Sequence, residues 1–346
     1  MMRAPQYQTR MFVEAASAPL AVHRLLDTSA ARVRMLADEV ARFDPAMVVT
    51  CGRGSSDHAA AYGKYLFETC LGLVTSSAAP SVASVYGGKL NLRRALYVAI
   101  SQSGTSPDIV NHARMAKDQG AMVIALVNDT ESPLAEVASH VVPLGAGPET
   151  SVAATKSYIV SLGALALLAG CLGNDRRLLE ALRAVPDVMT AAWQCDWSAL
   201  LDALKPANNL FVVGRGVGYA LALEAALKLK ETARLHAEAY STAEVRHGPM
   251  AVVGNGLPLL VFVQDDATRS SVLQLAADTQ AFGARVFVAG ARHPGLVALP
   301  CPEPPHALLA PLVQAQCFYR FANDLSIARG YDPDAPPHLS KVTETV

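Results

Sequence analysis

The second half of this 346-residue chain repeats landmarks of the first half. Three stretches recur at an offset of 162 or 163 residues: Gly52-Arg-Gly54 as Gly214-Arg-Gly216, residues 96–100 as 258–262, and residues 120–124 as 283–287. Landmarks that return in one order and nearly one register are the signature of an internal repeat. The sequence therefore predicts a duplicated domain.

Each copy alternates short apolar strands with longer helical runs. In the first copy we predict strands at 47–50, 96–100, 122–127 and 140–143, and helices at 58–71, 107–118, 131–138 and 152–172. This alternation is typical of a parallel sheet, because every parallel connection needs a crossover that covers a face of the sheet. The sequence therefore predicts an α/β protein with helices on both faces of each sheet.

The rest of the chain is predicted to be mostly helical. Residues 11–43 have the spacing of one or two amphipathic helices. We expect five segments: an N-terminal helical segment 1–34, a first domain 35–173, a helical linker 174–206, a second domain 207–330 and a C-terminal tail 331–346. We expect the helices of the linker to be bounded or interrupted at Asn174, Pro186 and Pro206.

Composition excludes several classes of protein. The formal net charge of −1 argues against nucleic acid or an anionic membrane as the main partner. The longest apolar run, residues 159–173, is shorter than a membrane span, and charges interrupt residues 1–20 where a signal peptide would be apolar. Six scattered cysteines without a CxxC pair, and nine histidines without metal-ligand spacing, indicate a cytoplasmic protein with no metal site.

A hydroxyl-rich loop follows the strand at 96–100. Its polar members are Ser101, Gln102, Ser103, Thr105 and Ser106, and Pro107 and Asp108 then suit the first turn of a helix. A strand, a hydroxyl loop and a helix start together favour an anion site, because backbone N–H groups and the positive helix end face the ligand. The alternative is an ordinary capped turn, and the GKS/T lysine of nucleotide-binding loops is missing.

The repeat is informative where its two copies differ. Ser103 and Gly104 align with Asp265 and Asp266 in the second copy. Two carboxylates would repel an anion, so we predict that only the first copy holds one.

The second copy carries the titratable groups. Residues 219–237 are predicted to be helical, and Glu224, Lys228 and Glu231 lie on one face of that helix. The alternative for Glu224 and Lys228 is a plain surface ion pair. The following segment, 236–249, contains two histidines and two glutamates and reads as a loop, where functional residues often lie.

Several of these stretches, in this order, resemble the sugar-isomerase (SIS) domain family, from about residue 35 onward. They are GRGSS at 52–56, SQSGT at 101–105, VAATK at 152–156, the helix 222–231, HAEAY at 236–240, HGP at 247–249 and HLSK at 338–341. The greatest similarity is to the isomerase half of glucosamine-6-phosphate synthase. The resemblance implies two duplicated SIS domains, each a three-layer αβα, flavodoxin-like unit.

The resemblance also implies roles for individual residues. The sugar phosphate would be held by Ser101, Gln102, Ser103 and Ser106 with help from Ser56, beside a sugar-contacting stretch that includes Val152 and Ala154. Glu231 would move a proton between C1 and C2 of the open-chain sugar, and Lys341 would form a Schiff base with the C2 ketone. Lys228 would orient the substrate or pair with Glu231. His247 would assist ring opening from the neighbouring subunit of a homodimer, and no cofactor is implied.

The family hypothesis gives an expected reaction and its rivals. Because no glutaminase half precedes residue 35, we expect a stand-alone enzyme similar to the glucosamine-6-phosphate deaminases of this fold. The alternatives are a deaminase or isomerase of another amino-sugar phosphate, a fructosamine-6-phosphate deglycase, and a non-catalytic regulator that binds a sugar phosphate. The family's V-A-S-T-K reads Val152-Ala-Ala-Thr-Lys156 here, which removes a hydroxyl at Ala154.

Overall fold

The computed structural model describes residues 8–341 and contains two five-stranded sheets. The first sheet consists of β1 (Met47–Cys51), β2 (Thr75–Ser77), β3 (Ala95–Ser101), β4 (Met122–Val127) and β5 (His140–Pro143). The second consists of β6 (Asn209–Gly214), β7 (His236–Ser241), β8 (Pro258–Phe262), β9 (Arg285–Ala289) and β10 (Val297–Leu299).

All strand pairs in the two sheets are parallel, and the two sheets share one topology. The first sheet has the order β2-β1-β3-β4-β5, and the second has β7-β6-β8-β9-β10. Numbered within each copy, both orders are 2-1-3-4-5, which is the flavodoxin-like order of doubly wound sheets. The predicted fold class and the duplication are therefore confirmed.

Helices precede, connect and cover these sheets. Those of the first half are α1 (Arg10–Ala16), α2 (Ala18–Phe43), α3 (Ser55–Leu71), α4 (Ser81–Ser84), α5 (Pro107–Asp118), α6 (Pro133–Val137) and α7 (Lys156–Leu172). Those of the second half are α8 (Arg176–Ala192), α9 (Ser198–Leu204), α10 (Val217–Ala233), α11 (Thr242–Val245), α12 (Arg269–Ala281) and α13 (Ala310–Ala328).

Alternate residues of each strand face two different apolar layers, as the period of a strand requires. In β3, Val98 packs into a central layer formed with α2, α3, α7, α10 and α13, whereas Tyr97 faces α5 and α6. In the second sheet, Phe262 joins the same central layer and Val261 faces α12. The central layer therefore lies between the two sheets and joins both copies in one core.

The duplication extends to the turn between the first strand and first helix of each copy. Gly54 and Gly216 are the N-caps of α3 and α10, with φ of 54° and 58° and ψ of −127° and −134°. These values lie in a region that glycine adopts without strain. A Cβ at Gly52 would lie 2.7 Å from the backbone carbon of Ser56, and a Cβ at Gly214 would lie 2.3 Å from the carbonyl oxygen of Gly218. Both glycines are thus required by close approach of strand and helix.

The predicted loop at 236–249 is wrong. Residues His236–Ser241 form β7, which pairs in parallel with β6 at the edge of the second sheet, and Thr242–Val245 form α11. The helix predicted to reach residue 237 ends at Ala233, because Arg234 adopts the left-handed conformation with φ of 48° and closes the helix with a hydrogen bond to Leu229.

Three smaller differences concern element boundaries. The helix predicted from 152 begins at Lys156, and Pro186 lies inside α8 rather than at its end. The two short strands β2 and β10 were not predicted, and each contributes only three residues to its sheet. Among residues 8–341, no helix is long and apolar enough to cross a membrane.

The strand-to-helix turns generate a stability prediction. Gly214→Ala should lower the free energy of unfolding by about 2–3 kcal/mol, because backbone atoms of α10 cannot move away from the new Cβ. Gly163→Ala is the control: it lies inside α7, and its Cβ would meet the flexible side-chain end of Leu25 at 3.3 Å. That variant should change the free energy by less than about 1 kcal/mol. Urea unfolding followed by circular dichroism measures both, and equal losses would contradict the steric argument.

Candidate active site

A cavity of about 310 Å³ opens at the carboxyl ends of β1 and β3. This is the point where the strand order of a doubly wound sheet reverses, and ligands bind there in such folds. Ten of the eleven residues expected at the site line the cavity: Ser56, Ser101, Gln102, Ser103, Ser106, Val152, Ala154, Lys228, Glu231 and Lys341. Both copies and the C-terminal tail therefore contribute to one site.

The hydroxyl loop between β3 and α5 is shaped by local hydrogen bonds. The hydroxyl oxygen of Ser101 accepts a hydrogen bond from the backbone N–H of Gly104 at 3.0 Å. Gly104 has a φ of +67°, and a Cβ there would lie 2.1 Å from the hydroxyl oxygen of Ser132. Ser106 is the N-cap of α5, so the loop directs the positive end of that helix at the cavity.

Arg53 brings a positive charge to the same end of the cavity. Its Nε and Nη2 donate to Oδ2 of the buried Asp108 at 2.9 and 2.7 Å, while the Arg53 side chain is half exposed and lines the cavity. This ion pair ties the turn after β1 to the first turn of α5. Arg53 lies between two glycines of the repeated motif, and its place at the cavity was not predicted.

In the second copy, the corresponding position is taken by a carboxylate of the protein itself. Asp266 accepts hydrogen bonds from the backbone N–H of Thr268 at 2.8 Å and from its hydroxyl at 2.5 Å. Thr268 is the N-cap of α12 and corresponds to Ser106 at the offset of 162. The amide of Gln264 also donates to Asp266, at 3.1 Å. The start of α12 is thus occupied by a carboxylate of the protein, and anion binding by the first copy alone stays a prediction.

A buried carboxylate, Glu224, lies below the cavity where the two copies meet. It accepts hydrogen bonds from the hydroxyls of Ser55 at 3.0 Å and Tyr319 at 2.9 Å, and Nδ1 of His58 lies 2.9 Å from it. Nζ of Lys228 lies 3.6 Å away on the same helix. Glu224 and Lys228 are 0% and 1% exposed, so the alternative of a surface ion pair is wrong.

Burial and neighbouring groups shift the pKa values of Glu224 and Lys228 in opposite directions. Burial alone would raise the pKa of Glu224, but Lys228, His58 and Tyr319 together hold it below its ordinary value. Burial alone would lower the pKa of Lys228, but Glu224 and Glu231 raise it above its ordinary value. Lys228 is therefore a fixed ammonium group.

Lys228 connects this buried pair to the cavity. Its ammonium donates a hydrogen bond to Oε2 of Glu231, one turn further along α10. The Glu231 side chain is 19% exposed and lines the cavity. The predicted contact between Lys228 and Glu231 is thus present, and it fixes a carboxylate at the cavity wall.

Lys341 reaches the same cavity from the C-terminal tail. Its Nζ lies 3.4 Å from Oε2 of Glu149, whose side chain is fully buried. The Lys341 side chain is 25% exposed, although residues 338–340 are exposed. A frayed end would not place its amine beside a buried carboxylate. Residues 342–346 of the predicted tail lie outside the described part of the chain.

His247 lies apart from the other ten residues. It is exposed on the turn after α11, where its backbone N–H donates to the carbonyl oxygen of Glu244 at 2.9 Å. The cavity that one chain forms between residues 8 and 341 is not lined by His247. Its expected contribution across a subunit interface stays a prediction.

Several site residues carried no local signal in the sequence. Ser55, His58 and Tyr319 reach Glu224 from positions 169, 166 and 95 residues away. Glu149 is a single glutamate in a glycine- and proline-containing stretch. Of these residues, Ser55 alone belongs to a recognisable motif, GRGSS at 52–56, and could have been predicted from it. Within residues 8–341, no three His, Cys, Asp or Glu side chains are grouped to hold a metal ion.

The pKa of Glu224 predicts acid sensitivity. Because the folded-state pKa is lowered, the stabilisation is present above the unfolded value of about 4.3 and is lost as the pH falls through the lower folded value. Glu224→Gln should lower the free energy of unfolding by about 1–3 kcal/mol at neutral pH. The difference from the wild type should shrink as the pH falls below about 4.

Urea titrations at a series of pH values measure this difference. Glu244→Gln, which changes an exposed carboxylate, is the control for the loss of one charge. If the loss of unfolding free energy in Glu224→Gln stays constant across the acid range, the ionised carboxylate is not what stabilises the fold.

Comparisons with known proteins show the family of this chain. The family model of the SIS domain matches residues 44–170 and 203–289. The chain is 33% identical over 343 residues to the glutamine–fructose-6-phosphate aminotransferase (isomerizing) of Methanothermobacter thermautotrophicus, a match that covers 97% of this chain and 57% of that protein. The chain thus spans little more than half the length of this relative.

Solved structures show the same fold over their full length. A candidate phosphosugar isomerase from Silicibacter pomeroyi is 44% identical with a TM-score of 0.91, covering 94% of this chain and 100% of that one. A second similar structure is the C-terminal domain of glucosamine-fructose-6-phosphate aminotransferase from Francisella tularensis, with 24% identity and a TM-score of 0.86. A third is the glucosamine-6-phosphate deaminase of Thermotoga maritima, with 22% identity and a TM-score of 0.78. Each match covers 97% of this chain and 100% of the other chain. With its duplicated fold, its hydroxyl loop and both matched segments, this chain belongs to the SIS domain family.

Proposed function

We propose that this protein is a glucosamine-6-phosphate deaminase of the SIS type. It would convert glucosamine 6-phosphate and water to fructose 6-phosphate and ammonia through an aldose–ketose isomerisation. The observation that carries the proposal is the single cavity, which brings together the hydroxyl loop of the first copy, Glu231 of the second copy and Lys341 of the tail. An anion site, an acid–base group and an amine are the three functions that this reaction needs.

The phosphate end of the substrate is assigned to the loop before α5. Ser101, Ser103 and Ser106 offer hydroxyl donors there, and the start of α5 adds its positive end. Arg53 adds a cation whose charge is partly balanced by Asp108. Glu231 and Lys228 from α10 line the same cavity, so a sugar held by its phosphate at this loop would lie in one cavity with the acid–base group.

Glu231 is the proposed proton carrier. It removes the C2 proton of the open-chain aldehyde and delivers a proton to C1, which converts the 2-amino aldose into the ketimine of the 2-ketose. One carboxylate suits both steps because it acts as base at one carbon and as acid at the next. Lys228 supplies a fixed ammonium beside it and stabilises the negative charge that develops on the substrate oxygen.

Lys341 is the proposed nucleophile at C2. It displaces ammonia from the ketimine to form its own imine, and water then hydrolyses that imine to release fructose 6-phosphate. A nucleophilic lysine must lose its proton. The surroundings of Lys228 raise its pKa and oppose such a loss. Lys341 is therefore assigned the role as the other lysine that lines the cavity.

Two further parts of the proposal concern the assembly. His247 is exposed outside the cavity of its own chain, so its assistance to ring opening requires the cavity of a second copy in a homodimer. No step described here calls on a metal ion or an organic cofactor. The named aminotransferase relatives are longer than this chain, and their activity supports the isomerisation step rather than a particular source or fate of ammonia.

An assay over a panel of sugar phosphates tests the proposed function. The panel contains glucosamine, galactosamine, mannosamine and fructosamine 6-phosphates, and released ammonia and ketose phosphate are both measured. We expect ammonia and fructose 6-phosphate in equal amounts from glucosamine 6-phosphate. Ser103→Asp, which places an anion in the hydroxyl loop, should abolish turnover. Turnover of another member alone would reassign the substrate, and tight binding without turnover of any member would indicate a regulator.

Solvent exchange tests the role of Glu231. In D₂O the wild type should introduce deuterium into the carbon that receives the proton. Glu231→Gln keeps the shape of the side chain but removes the base, so exchange and turnover should each fall by a factor of about 10²–10⁴. Glu238→Gln, on β7 outside the cavity lining, is the control and should exchange like the wild type. Exchange at the wild-type rate in Glu231→Gln would assign the base to another residue.

A further inference from the structure

Glu149 is a buried carboxylate that is held in place by three donors. Its Oε1 accepts the backbone N–H groups of Thr155 at 3.0 Å and Ser157 at 3.1 Å, and its Oε2 accepts the hydroxyl of Ser157 at 2.5 Å. These donors belong to the N-cap and first turn of α7. The positive end of that helix favours a negative charge there, and the three donors fix the carboxylate in position.

The same Oε2 atom faces the tail. Nζ of Lys341 lies 3.4 Å from it, and the Lys341 side chain lines the cavity. The described part of the tail, residues 331–341, forms no helix or strand. The ion pair therefore joins a rigid carboxylate to an amine on an irregular segment, and the rigid partner determines where the amine lies.

We propose that Glu149 is the positioning residue of Lys341: it holds the amine at the cavity and serves as counter-ion of the imine formed there. This inference rests on the proposed function, because it assigns Lys341 to imine formation. The tail has to bring one amine within bonding distance of C2, and a flexible lysine loses much side-chain entropy when it is confined to one place. A fixed counter-ion confines it before the substrate arrives.

The charges of the imine step agree with this role. A lysine ammonium and a ketone give a protonated imine and one molecule of water: the nitrogen loses two protons as the double bond forms, and both leave with the carbonyl oxygen as that water. The nitrogen is neutral when it attacks, and it carries one positive charge before the reaction and one after it. Glu149 therefore has an ion pair at the start and at the end of the step, and it stabilises the protonated imine, which is the form that reacts with water.

The chain offers a matched control in Glu14. This carboxylate is also buried and also accepts backbone N–H groups and hydroxyls, from Thr150 and Ser151 in the same stretch of chain as Glu149. It belongs to α1 and does not line the cavity. Replacing Glu14 thus removes the same kind of buried charge close to α7 without touching the pair with Lys341.

The experiment traps the imine with borohydride. Wild type, Glu149→Gln and Glu14→Gln are incubated with fructose 6-phosphate and borohydride, and the rate of adduct formation on the peptide containing Lys341 is measured by mass spectrometry. Glu149→Gln should reduce this rate and kcat by about 10- to 100-fold, the effect of losing a hydrogen bond to a charged group. KM and the Kd of glucitol 6-phosphate, which has no carbonyl group, should change less than threefold. Glu14→Gln should trap like the wild type.

The outcomes separate the two proposals. Absence of an adduct in the wild type would refute imine formation by Lys341, and with it the proposed mechanism. An adduct that forms in Glu149→Gln as fast as in the wild type would refute the positioning role alone. Equal losses in Glu149→Gln and Glu14→Gln would also refute it, since they would reflect any buried carboxylate in this region.

A second measurement leaves Glu149 and its donors unchanged. Lys341→Arg keeps a cation opposite Glu149, whereas Lys341→Gln removes it. Hydrogen exchange of residues 331–341 should match the wild type in the arginine variant and be faster by about tenfold or more in the glutamine variant, because an ion pair to a buried carboxylate opposes local opening. Equal exchange in the two variants would overturn the proposal even if Glu149→Gln fails to fold.

Discussion

The buried carboxylate of Glu224 is the interaction on which the site depends. Its partners come from three separate helices: Ser55 and His58 from α3, Lys228 from α10 itself and Tyr319 from α13. A buried charge left without partners costs about 3–5 kcal/mol, so these helices are held in one arrangement by the need to compensate it. Because α3 belongs to the first copy and α10 to the second, the same requirement fixes the first copy relative to Glu231.

The two copies of the fold differ at the turn where the first copy has its hydroxyl loop. In the first copy the position of Gly104 leaves the start of α5 facing a cavity, and in the second copy Asp266 supplies its own carboxylate to the start of α12. A helix start that favours negative charge is therefore present in both copies, but in the second copy the carboxylate of Asp266 already accepts a hydrogen bond there. That copy instead contributes the charged face of α10, so under the proposed function the two copies would divide anion binding and acid–base chemistry between them.

The sequence predicted the sheets well because buried parallel strands are continuous apolar runs, as in β3 and β4. It failed at β7, an edge strand in which His236 and Glu238 are exposed and Tyr240 packs against Phe211, because the charged side chains interrupt the apolar run. The residues predicted to line the site came from local motifs and a family resemblance. Glu149 and Tyr319 could not be predicted in this way, because their roles depend on contacts between segments 192 and 95 residues apart.

The proposed function places an anionic sugar beside several carboxylates, and the pairing of charges makes this possible. Glu224 and Glu231 have Lys228 as their cation, and Glu149 has Lys341. At the hydroxyl loop, the carboxylate of Asp108 is bound to Arg53. Repulsion between like charges falls with distance and is weakened by each paired cation. Under the proposed function, a phosphate at the hydroxyl loop would therefore meet carboxylates that are already paired, and Glu231, which lines the cavity, would remain available at the carbons that react.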